Sequence, residues 1–82
     1  MKLSEIRMSK RLNRALHTHL ISTEVSHVLR AMSTITATLE YLEESDHAYT
    51  RTWTFHARRL KALDKLCYKM LTARQPYEIE YD

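Results

Sequence analysis

The sequence predicts an all-α fold: an antiparallel, coiled-coil-like helical hairpin, an additional N-terminal helix and a short extended C-terminal tail. Three observations predict it. Residues 22–43 and 47–74 each carry apolar side chains in alternating steps of three and four, the spacing of a helical seam. The two seams remain in register when the chain is folded between them. The 82 residues also include no Gly and one Pro, whereas all-β folds draw on both for their turns.

The first helix is expected over residues 3–18, in a segment of good helix formers. Its apolar set is Met8, Leu12, Ala15, Leu16 and Leu20. At ~100° per residue this stripe lies opposite the seam that follows it. Either the chain bends near His17–Ser22, or the first segment meets another surface.

The second helix is expected over 23–43, with seam residues Val25, Val28, Met32, Ile35, Leu39 and Leu42. Ser22 is its expected N-cap, and Glu24 in the first turn suits the helix dipole. The third helix is expected over 47–74, with seam residues Tyr49, Trp53, His56, Leu60, Leu63, Cys67 and Met70. Ser45 or Asp46 is its expected cap, and Pro76 ends it. Folding at Glu44–Asp46 sets Leu42 opposite Tyr49, Leu39 opposite Trp53 and Ile35 opposite His56. It continues with Met32 opposite Leu60, Val28 opposite Leu63 and Val25 opposite Cys67. A short connection favours antiparallel neighbours. The tail, residues 76–82, alternates apolar Tyr77, Ile79 and Tyr81 with acidic Glu78, Glu80 and Asp82, as an extended segment would.

A β-hairpin over residues 34–55 is the rival. TITATLEY and YTRTWTF alternate with period two and are rich in strand formers. It would have to turn through EESDH without Gly and would leave the in-register heptads unexplained.

Residues 31–39 carry no charge. Ser33, Thr34, Ala37 and Thr38 face away from the seam, where an exposed helix normally carries Glu and Lys. Two readings stand. The first helix covers this face within one monomer, or Ser33, Thr34, Ala37 and Thr38, with Met8, Leu12 and Leu16 of the first helix, form a self-association face giving a dimer or tetramer. A chain this short buries roughly 60–65% of its unfolded surface, and small helical proteins often compensate by oligomerising.

Charge falls in blocks. Residues 1–20 carry Lys2, Arg7, Lys10, Arg11 and Arg14 against Glu5, and residues 21–50 carry Arg30 against Glu24, Glu40, Glu43, Glu44 and Asp46. Residues 51–75 carry Arg51, Arg58, Arg59, Lys61, Lys65, Lys69 and Arg74 against Asp64 alone. Opposite blocks suggest neutralising neighbours, with Glu40 near Arg51 and Glu24 near Lys65 or Lys69. Such exposed pairs contribute about 0–1 kcal/mol each.

Little points to catalysis. No phosphate loop, nucleophile motif or paired inward carboxylates are present. His17 and His19 are two apart, on different sides of a helix, whereas zinc pairs usually sit three or four apart. Cys67 lies on a seam, where a lone Cys is a small apolar filler. No enzyme, cofactor or metal is expected. One Cys makes no internal disulfide, and no apolar run reaches the ~18 residues of a membrane span or forms a signal core after Met1. A cytoplasmic protein is expected.

The expected function is that of a small regulator that self-associates and sequesters a partner protein. In size and style the chain is similar to bacterial and phage antirepressors, anti-activators and secretion co-chaperones, with a transcription repressor as the favoured partner, although no motif carries a family resemblance. The expected partner surface combines Arg58, Arg59, Lys65 and Lys69 with Tyr77, Ile79 and Tyr81. Nucleic-acid binding by the basic first and third helices is the alternative, given a pI near 9.2. A structural assembly subunit is a further one.

Overall fold

The computed structural model describes residues 2–73. They form a turn of 3₁₀ helix at Leu3–Glu5, then α1 (Lys10–Leu16), α2 (Thr23–Glu44) and α3 (Arg51–Ala73). No strand occurs among the described residues, and the span of the rival β-hairpin is helical apart from its connector. The fold is all-α. Helices α2 and α3 pair as the antiparallel hairpin, and α1 packs mainly against α3. The tail 76–82, with Tyr77, Ile79 and Tyr81, lies outside the described residues, as does Arg74 at the expected end of the third helix.

The first segment is not one helix over 3–18. Ile6 is extended (φ −90°, ψ 131°), and α1 begins only at Lys10. Tertiary contacts break it. The Arg7 backbone N–H donates to the Thr36 hydroxyl at 3.2 Å, and the Arg7 guanidinium binds both oxygens of Glu43. A backbone donor committed to another helix cannot also serve its own. Ser9 then restarts the helix, its hydroxyl accepting from the Leu12 N–H at 3.1 Å. The chain turns over His17–Ser22, and the Ser22 hydroxyl caps α2 by accepting from the Val25 N–H at 3.2 Å.

The connection between α2 and α3 is longer than the sequence suggests. Helix α2 ends in a Schellman motif: His47 N–H donates to the Leu42 carbonyl at 2.7 Å, and Asp46 N–H to the Glu43 carbonyl at 3.2 Å. Asp46 takes the left-handed conformation there, at φ 63°. Its short polar side chain tolerates this better than most residues do. The cap of α3 is therefore neither Ser45 nor Asp46 but Thr50, whose hydroxyl accepts from the Trp53 N–H at 3.2 Å. Tyr49 is a correction to the seam. It precedes the helix and is 100% exposed.

The core joins all three helices: Ile6, Leu12, Ala15, Leu16, Val25, Leu29, Met32, Ile35, Leu39, Leu60, Cys67 and Leu71. On α2 the buried set includes Leu29 and Thr36, which the heptad seam omits. On α3 it includes Asp64 and Leu71. Both additions extend a second stripe, turned toward the N-terminal limb. Val28, Leu42, His56, Leu63 and Met70, on the far side of the seam, are only half-buried. A two-helix seam needs one stripe, whereas a third element rotates the core toward itself.

That rotation corrects the proposed self-association set. Leu12 (0% exposed) and Leu16 (6%) belong to the monomer core, and Met8 packs against it. Thr34 and Ala37 are exposed, so the first segment does not cover them, while Ser33 and Thr38 are half-buried.

Candidate functional site

A groove of about 480 Å³ runs between the N-terminal limb and α3. Arg7, Ser9 and Arg11 form one bank, Lys61, Asp64 and Lys65 the other, and Leu39, Trp53, Ala57 and Leu60 the floor. Its origin is local. The limb over Ile6–Ser9 is non-helical, with a tight turn at Arg7 closed by the Met8 N–H donating to the Ile6 carbonyl at 2.9 Å, so it fills less space than a helix would. It runs between its anchors at Glu43 and Asp64, and Ala57, whose side chain is a single methyl, lines the trough left open beside it.

Two polar anchors hold the strap. Asp64, buried on α3, accepts from the Ser9 N–H at 2.6 Å and from the Ser9 hydroxyl at 2.8 Å. Ser9 thus caps α1 with its oxygen while giving its proton to Asp64. Glu43 is the second anchor. It binds Arg7 and accepts from the Trp53 indole N–H at 3.0 Å. The Arg7 and Trp53 hydrogen bonds both favour the charged carboxylate and lower its pKa to about 2. The Arg7 pKa is raised in turn, mainly by the same hydrogen bond, with Glu40 adding to the field. Glu40 therefore acts on Arg7, and no ion pair joins it to Arg51 among the described residues.

The banks are unequally committed. Arg7 is engaged by Glu43, and Arg11 stacks over the Tyr68 ring at 4.2 Å. Lys61 and Lys65 are exposed and have no acidic partner among the described residues. Lys69 likewise forms no ion pair among the described residues. With Arg51, Arg58 and Lys69 they form a stripe on the exposed face of α3, about 27 Å long at ~1.5 Å per residue. Arg59 lies outside it, its guanidinium over the Phe55 ring at 5.7 Å.

The remaining chemistry-bearing side chains serve the fold. Burial pushes the Cys67 thiol up to about 11, with the Asp64 charge adding to it, so the nucleophilic thiolate is suppressed. His17 Nδ1 donates to the Asn13 carbonyl at 2.7 Å and His19 Nδ1 to the Ala15 carbonyl at 3.1 Å, so both finish α1. His56 Nδ1 is buried without a hydrogen-bond partner among the described residues. Among the described residues, no three His, Cys, Asp or Glu side chains are grouped to hold a metal ion. No helix there is long and apolar enough to cross a membrane.

Of the expected partner-binding residues, the structure brings Lys65 to the groove and Arg58 and Lys69 to the adjoining stripe. Arg7, Ser9, Glu43 and Asp64 were not foreseen. For Asp64 a signal existed: it is the lone acid among the basic residues 51–75, one turn from Leu60 on an apolar stripe. For Arg7 and Glu43 nothing local marks the pair. Compared with family models, curated proteins and solved structures, the chain matches none of them.

Proposed function

We propose that this protein is a small non-catalytic regulator that binds and sequesters a partner protein, taking an acidic, apolar-rich segment of that partner in the groove between limb and α3. One observation carries this reading. The groove has an apolar floor, and Lys61 and Lys65 stand beside it without an acidic partner among the described residues. Burying apolar side chains on the floor supplies affinity, and the lysines select for acid. Antagonism of a transcription regulator is the specific form we favour, and it rests on size and helical build. Self-association belongs to the same proposal, through the exposed uncharged face at Thr34 and Ala37. The Thr34 and Thr38 hydroxyls are turned back onto the Arg30 and Thr34 carbonyls, which leaves little polar chemistry outward.

The test is a pull-down from the native host with the full chain and with Lys61→Glu/Lys65→Glu. The expected result is a partner captured by the first and lost by the second at equal helicity. Capture unchanged by the double substitution would remove the groove from the proposal.

The basic stripe favours a second reading, nucleic-acid binding. Among the described residues no ion pair joins the stripe to an acid. Phosphate binding predicts log K falling with log salt by about 0.9 per contacted phosphate on duplex DNA. A gel shift by the isolated protein with such a slope would favour this alternative.

A further inference from the structure

One segment of this chain matches the groove in charge and in apolar spacing. Residues 77–82, YEIEYD, alternate three apolar residues with three acids, so an extended backbone would put the two sets on opposite sides. Along such a backbone alternate residues are about 6.7 Å apart. Along α3, Lys69, Lys65 and Lys61 follow one another at four-residue steps, about 6 Å each. A tail running back along α3 therefore sets Glu78, Glu80 and Asp82 beside Lys69, Lys65 and Lys61 in that order. Those lysines drift around the helix toward the groove, by ~40° per step, so the segment is steered inward as it goes.

The reach is sufficient. Nine residues follow Ala73, the last of α3. At ~3.3 Å per residue they span at most about 30 Å. Leu60 on the groove floor lies about 20 Å back along the helix. That leaves three residues, Arg74–Pro76, in which the chain can reverse, and proline disfavours a continued helix.

We propose that residues 77–82 occupy the groove of their own molecule, so that a partner must displace an internal competitor. This rests on the reading of the groove as a peptide site and deepens it: the partner's segment shares the alternating acidic and apolar character of the tail. At an effective concentration of about 1 mM, a tail whose free peptide has Kd of about 100 μM lowers apparent affinity for any competitor about tenfold.

The experiment compares the ¹⁵N-labelled full chain with Tyr77→Ala/Ile79→Ala/Tyr81→Ala, whose changes all fall outside the described core. Expected are amide shift changes at Ala57, Leu60, Lys61 and Lys65, unchanged on dilution. Fluorescein-labelled Pro76–Asp82 peptide should bind the triple variant about tenfold more tightly than the native chain. Lys61→Glu/Lys65→Glu, with the tail intact, should abolish both effects. If the peptide binds both chains equally and those amides do not move, the internal competitor is refuted while the groove remains a peptide site. If the peptide binds neither chain and the amides do not move, the groove reading falls as well. If the shifts fade on dilution, the tail comes from a second copy, and the intramolecular proposal is overturned.

Discussion

Asp64 shows how one residue can organise a small protein. Its carboxylate is buried, takes both protons that Ser9 offers, and so ties the start of α1 to the middle of α3. Truncation removes the charged acceptor of both Ser9 donors and leaves a gap where a buried carboxylate stood. Asp64→Ala is expected to cost about 2–3 kcal/mol in urea unfolding, more than an exposed charge would. Glu43 governs the acid response. Its folded pKa of about 2 lies below the ordinary 4.5, so it binds a proton less readily folded than unfolded. Its stabilisation is present above about 4.5 and fades as pH falls toward about 2. Urea midpoints should drop through that window in the native chain, and Glu43→Gln should flatten the drop. If both chains lose stability equally, the Arg7–Glu43–Trp53 cluster is not the cause. Cys67 offers a simpler check. A fully buried thiol raised to about 11 should react with a thiol reagent at pH 8 only as fast as the protein unfolds.

At the scale of elements, the helix ends decide the connections. Asp46 at φ 63° occupies a position where Gly is least strained. Asp46→Gly should be neutral to stabilising by up to ~1 kcal/mol. Asp46→Val should destabilise by about 1–2 kcal/mol, since a β-branched residue resists the left-handed region. Thermal melts of the two variants should move apart. The extent of α2 was legible because period and caps are local properties, whereas the start of α3 was expected four residues early, at 47 rather than Arg51. Ser22 caps α2 with its own hydroxyl, three residues ahead of the first buried valine. The break in the first segment was not legible. Its residues favour a helix, and what prevents one is a hydroxyl at Thr36 and a carboxylate at Glu43, far along the chain.

For the whole molecule, the question is which apolar residues are spent inside and which remain to be shared. Leu12 and Leu16 are spent. Leu12→Ala should cost about 2–4 kcal/mol, independent of protein concentration, because the cavity opens within one chain. Ala37 is exposed, so Ala37→Glu should change monomer stability by less than ~0.5 kcal/mol while dissociating any oligomer built on that face. Sedimentation of the two variants separates core from interface. A monomeric native chain at micromolar concentration would eliminate the self-association part of the proposal.

By itself the sequence determined the helical class and the hairpin of α2 and α3, because periodicity and capping act within a few residues; it left the bend over His17–Ser22 as one of two alternatives. Only the tertiary structure decided that the core is turned toward the N-terminal limb, burying Leu29, Thr36, Asp64 and Leu71 and leaving Val28 and Met70 at its margin. A heptad marks the apolar side of a helix to within a seam. The direction in which that seam rotates depends on where a third element lies. Here that element is a strap held by Thr36, Glu43 and Asp64, and the groove exists because the strap is thinner than the helix its residues would otherwise have formed.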